Sequence, residues 1–135
     1  MSEEQSLIVQ EYAKHPLQNF PLQTYTAKHH EGNFICWDDI TVYLVIEKNK
    51  IKEYSFDGNC STITTAAASF LSEFIIWTKI QDILTWNYET MVKKWFEVSP
   101  KRKRAAVIAI LAVRNGIHTY TKDGKKDEFS DLIDD

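Results

Sequence analysis

Cysteine is nearly absent from this chain: Cys36 and Cys60 are the two it carries in 135 residues. So few exclude a disulfide framework, and in a reducing compartment they read as buried thiols, reactive thiols or metal ligands. Glycine is also scarce, four in all, and there is no Gly-rich phosphate loop, no nucleophile elbow and no His-Glu-x-x-His. The sequence therefore offers no conventional enzyme site, and a non-enzymatic role is expected. No stretch approaches the roughly 20 apolar residues of a membrane helix; the longest run is broken by Ser72, Glu73 and Thr78. The opening MSEEQSLIVQ lacks the basic n-region of a signal peptide, so a cytoplasmic protein with no membrane partner is expected. Nor is there an excess of positive charge. Sixteen Lys and Arg against nineteen Asp and Glu leave a net −3, which gives no global pull toward nucleic acid.

What is present suits one folded domain. Hydrophobic residues make up 44%, charged residues 26%, and four Trp, six Tyr and seven Phe supply a heavy aromatic load that a disordered chain would not carry. Residues 6–15 have helical spacing, with Ser6 as N-cap, and Pro16 ends them. Residues 17–33 read as an irregular loop or a weak strand. Residues 40–47 and 51–56 are β-branched and aromatic, and the Lys48-Asn49-Lys50 turn between them predicts an antiparallel hairpin. Residues 61–77 predict a buried helix with Ile63, Ala67, Phe70, Leu71, Phe74 and Ile75 inward. Short helices are expected at 80–84 and 88–97. A last long helix opens at Ser99-Pro100, weakened or ended by Asn115-Gly116. Trp77, Trp86 and Trp95 are expected in the core or at its rim. The order, strands first and helices after, is that of a segregated α+β domain: a hairpin-based antiparallel sheet of about three strands, covered on one side by C-terminal helices, with an N-terminal helix. Residues 1–121 read as the domain and 122–135 as a charged, frayed tail in which Phe129, Leu132 and Ile133 can add a docking turn.

Several local patterns resemble one family. The segment 7–19, LIVQEYAKHPLQN, is similar to the first helix of NifU/IscU-type iron–sulfur cluster assembly scaffolds. Cys36-Trp37-Asp38 resembles that family's first ligand motif, Cys-Gly-Asp, and likewise precedes a hairpin. Phe56-Asp57-Gly58-Asn59-Cys60 resembles its second ligand loop, followed by a helix rich in Ala and Ser, and Glu97 to Arg114 aligns with the stretch that holds its third cysteine. The likeness runs over roughly residues 7–118. The chain departs from it in four places. The third cysteine falls on Ala105 and its preceding histidine on Arg104, the chaperone-recognition segment is replaced by Ser99-Pro100-Lys101-Arg102-Lys103, and Trp37 stands where the family has a small residue.

The resemblance implies an iron–sulfur scaffold or carrier that binds iron or a labile cluster through Cys36, Asp38 and Cys60, with zinc as a possible substitute metal. It also implies partners among cysteine desulfurases and other cluster-assembly proteins. Soft thiolates suit the iron–sulfide core, and a harder aspartate oxygen suits a site that must let go. On an extended strand Cys36 and Asp38 would share one side, and Cys60, just before a helix, would have its thiol pKa lowered by the helix N-terminus. His29 and His30 are the internal candidates for the ligand position lost at Ala105. Arg104 cannot ligate but can balance an anionic cluster or persulfide. Asp39 and Asp57 read as turn and cap residues. Trp37 reads as a water shield or a filler of space left by a lost cluster. Two other readings stay open: a metal-free interaction module built on the same fold, and a sulfur acceptor that carries persulfide on Cys60. The Lys101-Arg102-Lys103-Arg104 run resembles a nucleic-acid patch by composition, but reads in this acidic chain as a solvated helix start or a surface for an acidic partner.

Overall fold

The computed structural model describes residues 3–33 and 37–133. Helix α1 (Glu3–Lys14) leads into three strands, β1 (Ala27–Asn33), β2 (Asp38–Glu47) and β3 (Lys50–Asp57), and then into α2 (Thr62–Ile75), α3 (Ile80–Ile83) and α4 (Lys103–Thr121). The strands form one antiparallel sheet in the order β1-β2-β3. This is the expected α+β architecture.

The hairpin follows from local chemistry. Val42, Leu44 and Ile46 alternate along β2 and are all but fully buried, so period-two patterning fixes which face is inside. The two loop residues, Lys48 and Asn49, both take positive φ (54° and 62°), the signature of the tight turn whose twist matches paired strands. On the opposite face Tyr43 meets Tyr25 edge-on and Lys28 stands over both rings. The unpromising sequence of β1, AKHHEGN, becomes a strand because its backbone pairs with β2 from Ala27↔Leu44 to Asn33↔Asp38.

Helix α4 crosses β1 and β2, and α2 packs against α1, α4 and β3. The Tyr54 hydroxyl donates to the Ala68 carbonyl at 2.8 Å, tying β3 to α2. Tyr12 of α1 donates to Glu73 at 2.6 Å and meets Phe70 edge-on. Trp95 stacks on Phe74 at the rim, 42% exposed; Trp77 is 57% exposed, and Trp86 packs against the core.

The helical expectations need several corrections. Ser6 does not cap α1, which is already under way at Glu3. Helix α2 stops at Ile75, because Trp77 turns left-handed at φ 64° and its N–H goes to the Ile51 carbonyl. The helix expected over 88–97 is a single π turn, Tyr88–Val92, capped by Asn87. Helix α4 runs straight through Asn115-Gly116. Asn115 gives its amide to Glu31 and to the Asp127 carbonyl instead of competing with the helix. A Cβ on Gly116 would lie 3.4 Å from Leu44 and 3.5 Å from His29, so glycine here lets α4 sit close on the sheet.

The expected fraying of the tail does not hold over residues 127–133. Asp127 accepts from Arg114 and His118 at 2.9 Å each, His118 also bonds Asp123 at 2.7 Å, and Leu132 and Ile133 are buried. The Arg114–Asp127 ion pair and the His118 contacts hold the segment together with its apolar end.

Candidate metal centre at the sheet end

β1 ends at Asn33 and β2 begins at Asp38, its partner in register, while β3 ends at Asp57 opposite Thr41. Trp37 and the loop from Gly58 to Ser61 therefore meet at one end of the sheet, beside the start of α2, where Asn59 Nδ2 donates to the Trp37 carbonyl at 3.4 Å. Gly58 is required there. Its φ is 137°, and a Cβ would fall 2.4 Å from the Asp39 carbonyl oxygen. That close approach lets Asp39 N–H donate to the Asn59 carbonyl at 3.0 Å, joining the loop to β2.

Asp38 and Cys60 are brought together by this joint. The Asp38 carboxylate is 4% exposed. Its Oδ1 accepts from the Ser61 N–H at 2.6 Å; its Oδ2 accepts from the Ser61 hydroxyl at 3.2 Å and the Thr64 hydroxyl at 2.9 Å. A carboxylate at the positive end of a helix is favoured on both hydrogen-bond and dipole grounds. Ser61 is the N-cap of α2, its hydroxyl accepting from the Thr64 N–H at 3.4 Å, and Asp38 ties that cap to β2; Asp57 ends β3 and accepts from the Tyr43 hydroxyl. The partners Ser61 and Thr64 gave no sign in the sequence beyond capping propensity.

Cys60 is half-buried, and its thiol donates to the Asp39 carbonyl at 3.4 Å. The expected lowering of its pKa is reversed. Burial first, and then the carboxylates of Asp38, Asp39 and Asp57, push the thiol up to about 12. Three nearby negative charges outweigh one helix terminus. The same carboxylates that oppose a thiolate would favour a cation beside it. Cys60 in a Cys36→Ser variant is therefore expected to react with iodoacetamide at pH 8 at least about tenfold more slowly than in the unfolded chain. The sign for stability follows. The folded thiol keeps its proton above the unfolded pKa, so this contribution is intact below about pH 9 and is lost as pH rises toward 12. A rate equal to that of the unfolded thiol would show the carboxylates to be ineffective.

Cys36 lies outside the described residues. The extended path expected to align it with Asp38 is not present at Trp37, which has φ 57° in the left-handed region. Trp37 is 77% exposed, so its side chain neither shields the site nor fills a space. An aromatic residue in this conformation is strained. Trp37→Gly is expected to raise the unfolding free energy by about 0.5–1 kcal/mol, measured by thermal melting; no change or a loss would place the strain elsewhere.

The histidines split. Consecutive residues on β1 point to opposite faces. His29 pairs with Glu31 at 2.5 Å, on the face where α4 packs. Exposed His30 lies 3.5 Å from Asp39 Oδ1, on the outer face of the sheet. Ala105, 4% exposed, lines a groove of about 440 Å³ together with Ser61 and Thr62, next to Cys60. Arg104 stacks on Phe129 at 4.9 Å and faces Glu31, Gly32 and Asn33 across a second cavity. Among the described residues no three His, Cys, Asp or Glu side chains converge in a metal-holding group. None of their helices is long and apolar enough to cross a membrane.

Residues 4–127 match the family model of the NifU-like N-terminal domain. The chain belongs to that family. Over 53 residues this NifU-like domain is 36% identical to the iron–sulfur cluster assembly scaffold protein IscU of Thermotoga maritima; the match covers 39% of this chain and 37% of that relative's length. Its fold is similar to the crystal structure of a nitrogen-fixing NifU-like protein (N-terminal) from Brucella abortus, with a TM-score of 0.71 at 13% identity over 86% of this chain and 93% of the other. The FiSufU protein of Fervidobacterium islandicum gives a TM-score of 0.71 at 18% identity, covering 87% and 96%. At such identities these structures speak for the fold. The family resemblance read from the motifs and the family match agree, and in this NifU-like domain Ala105 stands beside the Cys60 loop without a donor atom.

Proposed function

We propose that this NifU-like domain is a scaffold or carrier in iron–sulfur cluster assembly, taking iron and sulfide, or a labile cluster, as cargo at the sheet end and passing it on. Cys60 and Cys36 are its thiolate donors. Asp38 is the weaker oxygen donor; its carboxylate already accepts three hydrogen bonds from Ser61 and Thr64, which weakens it as a ligand and suits a site that must release what it holds. His30, beside Asp39, and His29 are the auxiliary donor candidates, and Arg104 offers charge compensation. The observation that carries the reading is the joint that puts Cys60 against Asp38 and Asp39, in a chain that belongs to this family over residues 4–127. Each thiol loses its proton on ligation, so loading should tighten as pH rises. Zinc fits the same donors. Cysteine desulfurases and other assembly proteins are the partners this role requires, and a cytoplasmic setting suits reduced thiols.

The test is anaerobic incubation with iron and sulfide, followed by desalting and visible spectroscopy. The expected result is a sulfur-to-iron charge-transfer band, with iron and sulfide retained, that disappears in Cys36→Ser and in Cys60→Ser. A colourless wild type under every reducing condition would overturn the scaffold reading. One observation favours a second reading in that event. Ala105 supplies no donor and Cys60 holds its proton tightly, as suits a metal-free interaction module. The raised thiol also opposes persulfide chemistry, which needs the thiolate; trapping persulfide on Cys60 after incubation with a cysteine desulfurase would restore that third reading.

A further inference from the structure

The four cations at 101–104 do not form one patch. Lys103 stands 5.0 Å over the Tyr88 ring, in a depression shared with Glu89 and Glu97. Arg104 turns the other way, onto Phe129 and toward Glu31 and Glu128. Lys101 and Arg102 remain exposed, and no carboxylate among the described residues pairs with either.

Their position works against the fold. They precede α4, a 19-residue helix whose N-cap is Arg102, with no side-chain capping bond and no acidic residue in the first turn. Positive charge at this end of a helix is opposed by the dipole. A local rule broken without compensation inside the chain points to a use outside it. The side chain of Arg102 borders the groove of about 440 Å³ already met beside Cys60, whose other walls include Val9, Gln10, Thr62, Ile63 and Ala105. The groove thus combines apolar walls with an uncompensated positive edge.

We infer that this groove docks an acidic segment of a partner protein, with Lys101 and Arg102 as its charge contacts and Val9 and Ile63 receiving an apolar side chain. Charge complementarity selects the partner's sign, and the mixed lining selects a peptide over a small anion. Two free cations on a chain of net charge −3 do not make the continuous basic track that nucleic acid requires. The inference goes beyond the cluster reading and needs no metal. A partner so docked would sit against the start of α2, next to Cys60.

The test uses the full chain in chelator and a short fluorescein-labelled peptide of alternating Glu and Leu, read by anisotropy. Binding is expected to weaken about tenfold in Lys101→Glu/Arg102→Glu and in Lys101→Gln/Arg102→Gln. It should stay unchanged in Lys50→Glu/Lys79→Glu at the hairpin end of the sheet, which carries the same charge change as the first pair. Reversal at the start of α4 relieves the dipole conflict, so thermal melting should show a fold at least as stable as the wild type. The peptide's Gln counterpart should not bind. The proposal is overturned if both charge-reversed pairs weaken binding equally, if the Gln peptide binds as well, if a single-stranded oligonucleotide binds more tightly, or if inorganic phosphate displaces the peptide at matched concentration. Because no metal is present, failure here leaves the scaffold reading standing, and a colourless reconstitution leaves this one standing.

Discussion

Asp38→Ala is expected to lower the unfolding free energy of the metal-free chain by about 2–3 kcal/mol. The carboxylate is 4% exposed and accepts three hydrogen bonds, from the Ser61 N–H, the Ser61 hydroxyl and the Thr64 hydroxyl. Bonds to an ionised acceptor are worth more than neutral ones, and Thr64 is fully buried, so its hydroxyl is left with Ser61 alone. The loss should therefore exceed that of an ordinary helix cap. Asp38→Asn keeps an acceptor of the same shape but loses the charge, and about 1 kcal/mol is expected. Urea unfolding in chelator measures both. The comparison separates two roles the residue could have. A side chain serving only as a ligand would leave apo stability untouched in either variant, and that result would sink the account of Asp38 as the tether between β2 and α2. If the tether is real, loss of cargo binding in Asp38→Ala cannot be read as loss of a ligand until Asp38→Asn, which keeps the shape, has been compared.

The elements built by local pattern were legible in the sequence, and those built by tertiary contact were not. The hairpin was readable because Val42, Leu44 and Ile46 alternate and Asn49 tolerates its turn. Of the stripe read in α2 from its spacing, Ile63, Ala67, Leu71 and Ile75 are buried, whereas Phe70 and Phe74 are half-buried against Trp95. β1 was not, since its residues are polar and it exists by pairing with β2. The segment after Asn87 has helical periodicity, yet the Tyr88 N–H goes to the Leu132 carbonyl and the Tyr88 hydroxyl accepts from Val98 N–H, contacts that stop the helix after one turn. Asn115-Gly116 carried a stop signal that was overridden, because both residues serve packing and bonding across the fold. At the site, the spacing of Asp38 and Cys60 to one joint was readable through the family motifs. The direction of the Cys60 shift was not. It depends first on burial of the thiol and then on Asp38, Asp39 and Asp57 arriving beside it from two different strands, which no window of sequence displays. Asp38's occupation by Ser61 and Thr64 was hidden for the same reason.

Ala105→Cys should tighten metal binding by roughly 100-fold. Ala105 is 4% exposed in the first turns of α4 and borders the same groove as Ser61, the residue after Cys60. A thiol added there borders the groove that Ser61 also lines, one residue from Cys60, and is expected to reach a metal held by Cys60. Soft metals gain most from an added thiolate, which predicts a larger increase for zinc than for manganese. The thiol adds little volume, and the open groove accepts it, so a small change in unfolding free energy is expected alongside the large change in affinity. Competition against a chromophoric zinc chelator measures the affinity, and the same titration in Ala105→Ser, similar in size but a poor soft-metal ligand, controls for packing. Equal affinity in wild type and Ala105→Cys, with metal bound in both, would mean that the start of α4 does not face Cys60 across the groove. Tighter binding that vanishes when Cys60→Ser is added would place residues 60 and 105 on one metal ion.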